Sequence, residues 1–402
     1  MVFASSDDGL SSGAGFHTRA IHAHQAPDPV TGAVITPIYQ TTTFAQQDAG
    51  VHKGFDYSRS GNPTRAVLEG VLASLEGGRH GFCFASGLGA LTTLSLALLS
   101  PGDHVLVSDD VYGGTFRFFS KVFQRFGILV EFLDMADPAR VAAALRPHTR
   151  MLYLETPTNP LLKLADIGAL VAVARQAAQP VVTVVDNTFA TPYLQTPLAL
   201  GVDVVLHSTT KYIGGHSDVV GGALVLRDDT YREAIAFHQN SLGATPDPMA
   251  AWLTLRGLKT LGVRMQAHCQ NAQALAEFLA GHPAIETVLY PGLPSHPQQA
   301  LAQRQMPRGY GGMITLRVRG GEAEARRVMQ ASRLFTLAES LGGVESLIEH
   351  PARMTHGALG PEVRQKIGIT DNLLRLSVGI EDLDDLREDL AQALAAAVPV
   401  AR

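Results

Sequence analysis

Lys211 is the residue of this chain best placed for covalent chemistry. In Leu206-His-Ser-Thr-Thr-Lys-Tyr-Ile-Gly-Gly-His-Ser-Asp218 an apolar strand ends in hydroxyl residues, then the lysine, then glycines. A desolvated amine loses its proton more readily and becomes a nucleophile toward carbonyl carbon. The plain alternative is a snorkelling lysine at a sheet edge, which would be favoured for a lysine in isolation. Here Ser208 and Thr210 flank it, and such hydroxyls donate to phosphate. Upstream, Val181 to Val185 runs into Asp186-Asn187-Thr188 and sets a carboxylate at the same kind of strand end. Buried and paired, that carboxylate can keep a heteroaromatic nitrogen protonated; alone, it would read as a helix N-cap. Phe84-Ala-Ser-Gly-Leu-Gly-Ala-Leu91 opens a helix with small residues, where free amides and the helix dipole bind phosphate.

Phosphate seat, imine-forming lysine and ring-nitrogen partner together are what pyridoxal phosphate needs in order to act as an electron sink. Such residues must be carried on strand ends. His104 to Ser108, Met151 to Glu155, Val181 to Asp186 and Val204 to Ser208 read as buried strands, and Pro138 to Leu145 and Ile167 to Gln176 as helices between them. Alternation of this kind predicts an α/β fold with a mainly parallel sheet, whose strand C-termini form the ligand edge. Turn formers such as Pro27-Asp28-Pro29 and Gly61-Asn62-Pro63 mark the first 60 residues as an arm that needs a surface to lie on. A long helix over Met249 to Ala280 then leads to a smaller α+β section, with a strand at Gly312 to Arg319 and helices at Ala323 to Ala331 and Leu386 to Ala397. The expected organisation is an arm over 1–60, a cofactor-binding α/β domain over 61–255 and a C-terminal α+β domain over 256–402.

Composition narrows the partners. The 402 residues are 46% hydrophobic and 17% charged with a net charge of −5, so nothing resembles the basic stripe that nucleic acid requires. Apolar runs are far short of a membrane span, and Met1 to Gly15 lacks the apolar stretch of a signal peptide and reads as a frayed tail. Cys83 and Cys269 alone do not make a disulfide framework. These features predict a cytoplasmic protein that binds neither membrane nor nucleic acid. His207 and His216 beside the lysine lack companions at ligand spacing, so no metal is expected.

Seven motifs occur in order: Tyr57-Ser-Arg-Ser-Gly-Asn-Pro-Thr64, Asp110-Val-Tyr-Gly-Gly114, Glu155-Thr-Pro-Thr-Asn-Pro160, Val185-Asp-Asn-Thr-Phe189, Ser208-Thr-Thr-Lys-Tyr212, Ala338-Glu-Ser-Leu-Gly-Gly343 and Leu374-Arg-Leu-Ser-Val-Gly379. From about His17 to about Leu394 the chain resembles the Cys/Met-metabolism family of pyridoxal-phosphate enzymes, which contains cystathionine γ-synthases, γ-lyases and β-lyases and methionine γ-lyases. The resemblance implies fold type I. It assigns Lys211 to the Schiff base and proton transfer, Tyr112 to stacking on the cofactor ring, and Asp186 to the ring nitrogen, with Thr188 beside it. Phosphate falls to the backbone of Gly87 and Leu88, to Ser208 and Thr210, and to Tyr57 and Arg59 from a neighbouring subunit. Of these, Lys211, Tyr112 and Tyr57 are the expected catalytic residues. Arg375 would grip the substrate α-carboxylate, helped by Asn159 and Ser340. A borrowed Tyr57 and Arg59 imply a homo-oligomer, at least a dimer, and the family suggests a tetramer. In Ser86-Gly-Leu-Gly-Ala90 relatives often carry Met and Ala at the third and fourth positions; a backbone contact tolerates that change.

The amino-acid substrate is less directly written. Asp56 and Glu339 correspond to acids that face the remote amino-acid end in relatives that handle cystathionine, where two carboxylates suit an ammonium group; otherwise they are ordinary exposed acids. Gly113-Gly114 follow Tyr112 where methionine γ-lyases typically place a cysteine. Ala338 to Ile348 resembles the γ-synthase and γ-lyase branch rather than the β-lyases. Asp56 and Gly360 to Gly368 lean toward γ-synthase, while Gln239 to Gly243 and Tyr290 to Pro297 lean toward γ-lyase. The expectation is γ-synthase, from O-acyl-L-homoserine and L-cysteine. Besides γ-lyase, the alternatives are methionine γ-lyase, an O-acylhomoserine sulfhydrylase and a γ-replacement enzyme of specialised metabolism.

Overall fold

The computed structural model describes residue 10, residues 13–357 and residues 359–397. Most of the Met1 to Gly15 tail therefore lies outside the described residues. The chain forms two units, each drawn from two stretches of sequence: everything described up to Leu99 with Thr196–Gly262, and Ser100–Gln195 with the rest from Val263.

In the first unit the strand Gly222–Leu226 is flanked by His80–Phe84 and Val204–His207 and runs antiparallel to both. Lys211 lies on the connection from Val204–His207 to Gly222–Leu226. That link contains no helix, and a return without a crossover leaves antiparallel pairing as the available geometry. The helix Pro63–Glu76 begins with Asn62, whose side chain accepts from the amides of Thr64 and Arg65, and with Pro63 in the first turn. In the arm the structure adds a short helix, Phe16–His22, and an isolated antiparallel bridge between Thr43 and Tyr57.

The second unit holds the parallel strands. Val182–Asp186, Thr149–Glu155, His104–Ser108 and Leu129–Leu133 pair in that order, all parallel. Three of the four were anticipated to within two residues. A separate five-stranded sheet runs Thr336–Leu337, Leu347–Glu349, Leu373–Ser377, Met313–Val318, Ile285–Leu289. Its core joins Ile314, Leu316, Leu374 and Leu376 to Leu275, Leu279, Val328, Leu386 and Leu390 from helices.

The single helix expected over Met249 to Ala280 is two helices, Pro248–Leu258 and Leu261–Ala280. At the break Thr260 turns back onto Gly257, its amide and its hydroxyl each 3.2 Å from the Gly257 carbonyl. Gly257 is required for another reason: a Cβ there would stand 2.1 Å from the carbonyl oxygen of Gly214, in the turn that follows Lys211. Cys83 and Cys269 are buried free thiols, and burial raises the pKa of both. No described helix is long and apolar enough to cross a membrane.

Candidate active site

In the first unit, strand ends and a helix start build a cradle. The helix Gly87–Leu98 is capped by Ser86, whose Oγ accepts from Gly89 N at 2.9 Å, so the earlier amides of Gly87 and Leu88 project from the helix N-terminus. A Cβ on Gly87 would lie 3.1 Å from Ser208 Cβ and 3.4 Å from Ser208 Oγ, which places Ser208 beside Gly87. Lys211 is half-buried in a tight turn, with its amide bonded to Ser208 O and its carbonyl accepting from Gly215 N. The hydroxyl of Thr210 gives its one proton to Gly221 O and accepts from Gly221 N, at 3.1 and 3.0 Å. His207 is fully buried against Glu76, Nε2 to Oε1 at 2.6 Å, and His216 bonds the Gly214 carbonyl.

Tyr57 and Arg59 are exposed, with the guanidinium stacked over the tyrosine ring, and they line a cavity of about 620 Å³ together with Gln40, Thr41, Asn62 and Asp247. Their turn is held from beneath. Arg65, almost completely buried, donates from Nη1 to Ser58 O at 2.8 Å and from Nη2 to Arg59 O at 3.1 Å. Its Nε faces Glu69 at 3.4 Å; Glu69 also accepts from Cys83 N, and burial raises its pKa. Asp56 is exposed, and its Oδ1 accepts from Tyr57 N.

In the second unit Asp186 and Glu155 are register partners at the ends of adjacent parallel strands. Tyr153 Oη donates to Asp186 Oδ2 at 3.2 Å, and Thr188 N donates to Oδ1 at 3.1 Å, so the carboxylate is oriented from two sides. Glu155 accepts from the amide of Tyr112 at 3.0 Å and from that of Asn159. Burial pushes its pKa well up, and the negative charge of Asp186 adds to the rise. Tyr112, partly exposed, lies with its ring over Gly114: a Cβ on Gly114 would stand 2.3 Å from Tyr112 Cε1. Gly113 is equally constrained, since its Cβ would meet the Thr355 carbonyl oxygen at 2.0 Å.

Arg375 is 2% exposed in the strand Leu373–Ser377. Nη1 donates to Asn159 Oδ1 at 2.7 Å and pairs with Glu349 Oε1 at 2.9 Å, while Nη2 donates to Ser340 O at 2.8 Å. Ser340 adopts a left-handed backbone, φ +91°, an uncommon conformation for a residue with a side chain. Of the five N–H groups on Arg375, three are committed. Among the described residues Nε–H has no partner and Nη2 has one hydrogen not accounted for; Nε and Nη2 share one edge of the planar group, the fork by which an arginine takes a carboxylate. Glu339, next to Ser340, is exposed. Asn159 is fixed through its neighbours: Asp110 Oδ2 accepts from Thr158 Oγ1 and from Leu161 N. Burial raises the Asp110 carboxyl to about 7.

Several anchoring groups, Arg65 among them, were not foreseen as site residues. Glu155 and Asp110 stand inside quoted motifs, but as buried carboxyls rather than exposed ones. Glu349 had one visible signal, a charge in the apolar strand Leu347–Glu349.

Residues 17–395 match the sequence profile of the Cys/Met metabolism PLP-dependent enzymes. The chain belongs to that family. It is 56% identical over 378 residues to the cystathionine gamma-synthase of Mycobacterium tuberculosis, covering 94% of this chain and 96% of that one. Identity is 52% to the cystathionine beta-lyase of Coxiella burnetii, over 94% and 97% of the two chains. It is 50% to the cystathionine gamma-lyase of Bacillus subtilis, over 94% and 98%. Among solved structures, metB from Corynebacterium glutamicum superposes with a TM-score of 0.93 at 47% identity, over 97% and 99%. The cystathionine gamma-synthase of Xanthomonas oryzae, solved with aminoacrylate and cysteine, gives 0.93 at 46% identity, over 96% and 98%. The fold is therefore fold type I, and the protein is a pyridoxal-phosphate-dependent enzyme.

The residues present fit that cofactor. The Gly87 and Leu88 amides beside Ser208 form a seat that a side chain at position 87 would crowd, as a phosphate monoester requires. In the other unit Asp186 is a carboxylate held in place by a phenol and an amide, suited to a pyridinium N–H.

Proposed function

We propose that the protein is a cystathionine γ-synthase, which joins the sulfur of L-cysteine to the γ-carbon of an O-acyl-L-homoserine and displaces the acyl carboxylate. The observation that carries this reading is the 56% identity to a mycobacterial γ-synthase over nearly the whole of both chains, against 50% for the Bacillus γ-lyase. Gly113-Gly114 support it against a methionine γ-lyase, which typically carries a cysteine after this tyrosine.

Bound pyridoxal phosphate supplies the electron sink that makes the substrate α- and β-protons removable. Lys211 Nζ attaches the cofactor and then carries those protons. Asp186 holds the proton on the ring nitrogen, with Thr188 fixing the carboxylate. Tyr112 stacks on the ring, its loop tied down by Glu155. The amides of Gly87 and Leu88 and the hydroxyls of Ser208 and Thr210 hold the phosphate, and Tyr57 and Arg59 reach it from a second copy of the chain. Thr210 must first release Gly221 O. Arg375 grips the α-carboxylate by its Nε and Nη2 edge while Asn159 and Ser340 fix the guanidinium plane. Asp56 and Glu339 face the ammonium group of the incoming cysteine. The acyl carboxylate leaves with the Cγ–O electron pair, the cysteine thiol gives up its proton as the S–Cγ bond forms, and Lys211 returns protons to the β- and α-carbons. The enzyme works as a cytoplasmic homo-oligomer, at least a dimer and by family likeness a tetramer.

The second reading is γ-lyase, favoured by Gln239 to Gly243 and Tyr290 to Pro297. Two incubations separate them: an O-acyl-L-homoserine with L-cysteine, and L-cystathionine alone. Cystathionine forms in the first if the proposal is right. No cystathionine there, with rapid 2-oxobutanoate in the second, replaces it by the lyase; pyruvate in the second points to β-elimination.

A further inference from the structure

Arg375 does not wait for a ligand as a bare cation. Glu349 is its cross-strand register partner, and both side chains are all but excluded from solvent. The Glu349 carboxylate stands 2.9 Å from Nη1, on a nitrogen that also serves Asn159. Glu349 Oε1 is itself anchored, 3.0 Å from Thr355 Oγ1. The same hydroxyl lies 2.9 Å from His356 Nδ1, and His356 Nε2 bonds the carbonyl of Val111, the residue before Tyr112. The acid is thus built into the wall that also supports the Tyr112 loop.

We propose that Glu349 is the resident counter-charge of Arg375 and that it sets how tightly the enzyme holds, and how readily it releases, the carboxylate of its substrates and products. The proposal rests on Arg375 being the carboxylate grip. A buried guanidinium without a counter-charge is strongly disfavoured, so Glu349 stabilises the site when no ligand is bound. It leaves the Nε and Nη2 edge open, so it does not block a second carboxylate, but that carboxylate enters a site already neutralised and feels the repulsion of Glu349. At an effective dielectric near 20 and a charge separation of about 6 Å, the repulsion weakens binding by up to roughly 100-fold. Glu349 is therefore a positioning residue that trades affinity for release. The acid that neutralises the binding arginine comes from the neighbouring strand, and Asn159 and Ser340 fix the direction of the grip without changing its charge.

The test uses the holoenzyme and butanoate, a carboxylate without an amine to react. Binding is read by calorimetry, and thermal unfolding is followed with and without butanoate. Glu349→Gln keeps the shape and an acceptor for Nη1 but removes the charge. It should bind butanoate more tightly, by up to roughly 100-fold, unfold at a lower temperature when empty, and gain more from the ligand than the unchanged protein does. With substrate, KM and kcat should fall together as release slows. Equal or weaker butanoate binding by Glu349→Gln overturns the proposal, because a purely structural role predicts lower stability without a gain in affinity. Should Glu349→Gln fail to fold, Glu349→Asp, which draws the charge back from Nη1, should bind with affinity above the unchanged protein, and no gain there is equally fatal. Arg375→Met separates the two layers of argument. If it binds butanoate as well as the unchanged protein, the carboxylate reading of Arg375 falls and the proposal with it; if it loses binding while Glu349→Gln shows no gain, only the role of Glu349 falls.

Discussion

The Tyr112 ring rests on Gly114, with no room for a Cβ between them. On the proposal that the cofactor ring stacks on Tyr112, the absence of a side chain at position 114 helps to set where that ring lies. Gly114→Ala should displace the phenol and lower kcat/KM on the order of 10²-fold, the scale of a misplacement of about 1 Å, with little change in melting temperature because the ring is partly exposed. Steady-state kinetics beside thermal denaturation check this. Near-normal turnover would show that the ring can sit elsewhere.

Arg65 should matter to cofactor binding although it is not expected to touch the cofactor. It holds the carbonyls of Ser58 and Arg59 from below the turn. A lysine offers a single ammonium where the guanidinium spans two acceptors. Arg65→Lys should cost about 2 kcal/mol, the scale of one charged hydrogen bond lost, and should raise the dissociation constant for pyridoxal phosphate. Titration of the cofactor-free protein measures the second effect; unchanged affinity would disconnect the turn from the phosphate.

Lys211→Ala should keep the fold, lose the visible absorption of the lysine-bound cofactor, and lose turnover, since no other amine is placed on that turn. Circular dichroism and an absorption spectrum after adding pyridoxal phosphate suffice. A surviving lysine-type band would mean that another amine holds the cofactor.

His356 makes stability depend on acid. Burial drops its pKa to about 4, helped by the nearby charge of Arg375, from an ordinary 6.5. The unfolded chain therefore takes up the proton first, so the contribution is present above about pH 6.5 and is lost as pH falls toward 4. Its full size is roughly 3 kcal/mol. His356→Gln, which can still donate to Val111 O, should flatten the fall of melting temperature between pH 6.5 and 4.5 relative to the unchanged protein. Parallel curves for the two would assign the loss to other groups, among them His268, which shifts the same way.

Much of the parallel sheet could be read directly, because strands such as His104–Ser108 are short apolar runs ending in polar residues. Lys211 stood out for a related reason, as a charge set after an apolar strand, whereas Arg375 was singled out only through the family motif around it. The break between Pro248–Leu258 and Leu261–Ala280 was not legible, since it rests on Thr260 turning back onto a backbone carbonyl, which leaves no mark in the hydrophobic pattern. Glu349 and Arg65 escaped likewise. Each has a meaning only through its partner, Arg375 across a strand pair and the Ser58 and Arg59 carbonyls under a turn. Periodicity reports which face is buried, and it is silent about which buried charges meet.

The pairing of His80–Phe84 with Gly222–Leu226 has a consequence for synthesis. The second strand leaves the ribosome about 140 residues after the first, a delay of roughly 7 to 28 s at ordinary elongation rates. Throughout that interval the Gly-Phe-Cys-Phe end of the earlier strand can pack against the helix Pro63–Glu76 but lacks its native strand partner. The nascent chain is therefore most exposed to aggregation before Gly222 has been made, and slow codons between Phe84 and Gly222 should lower the yield of folded enzyme more than those after it.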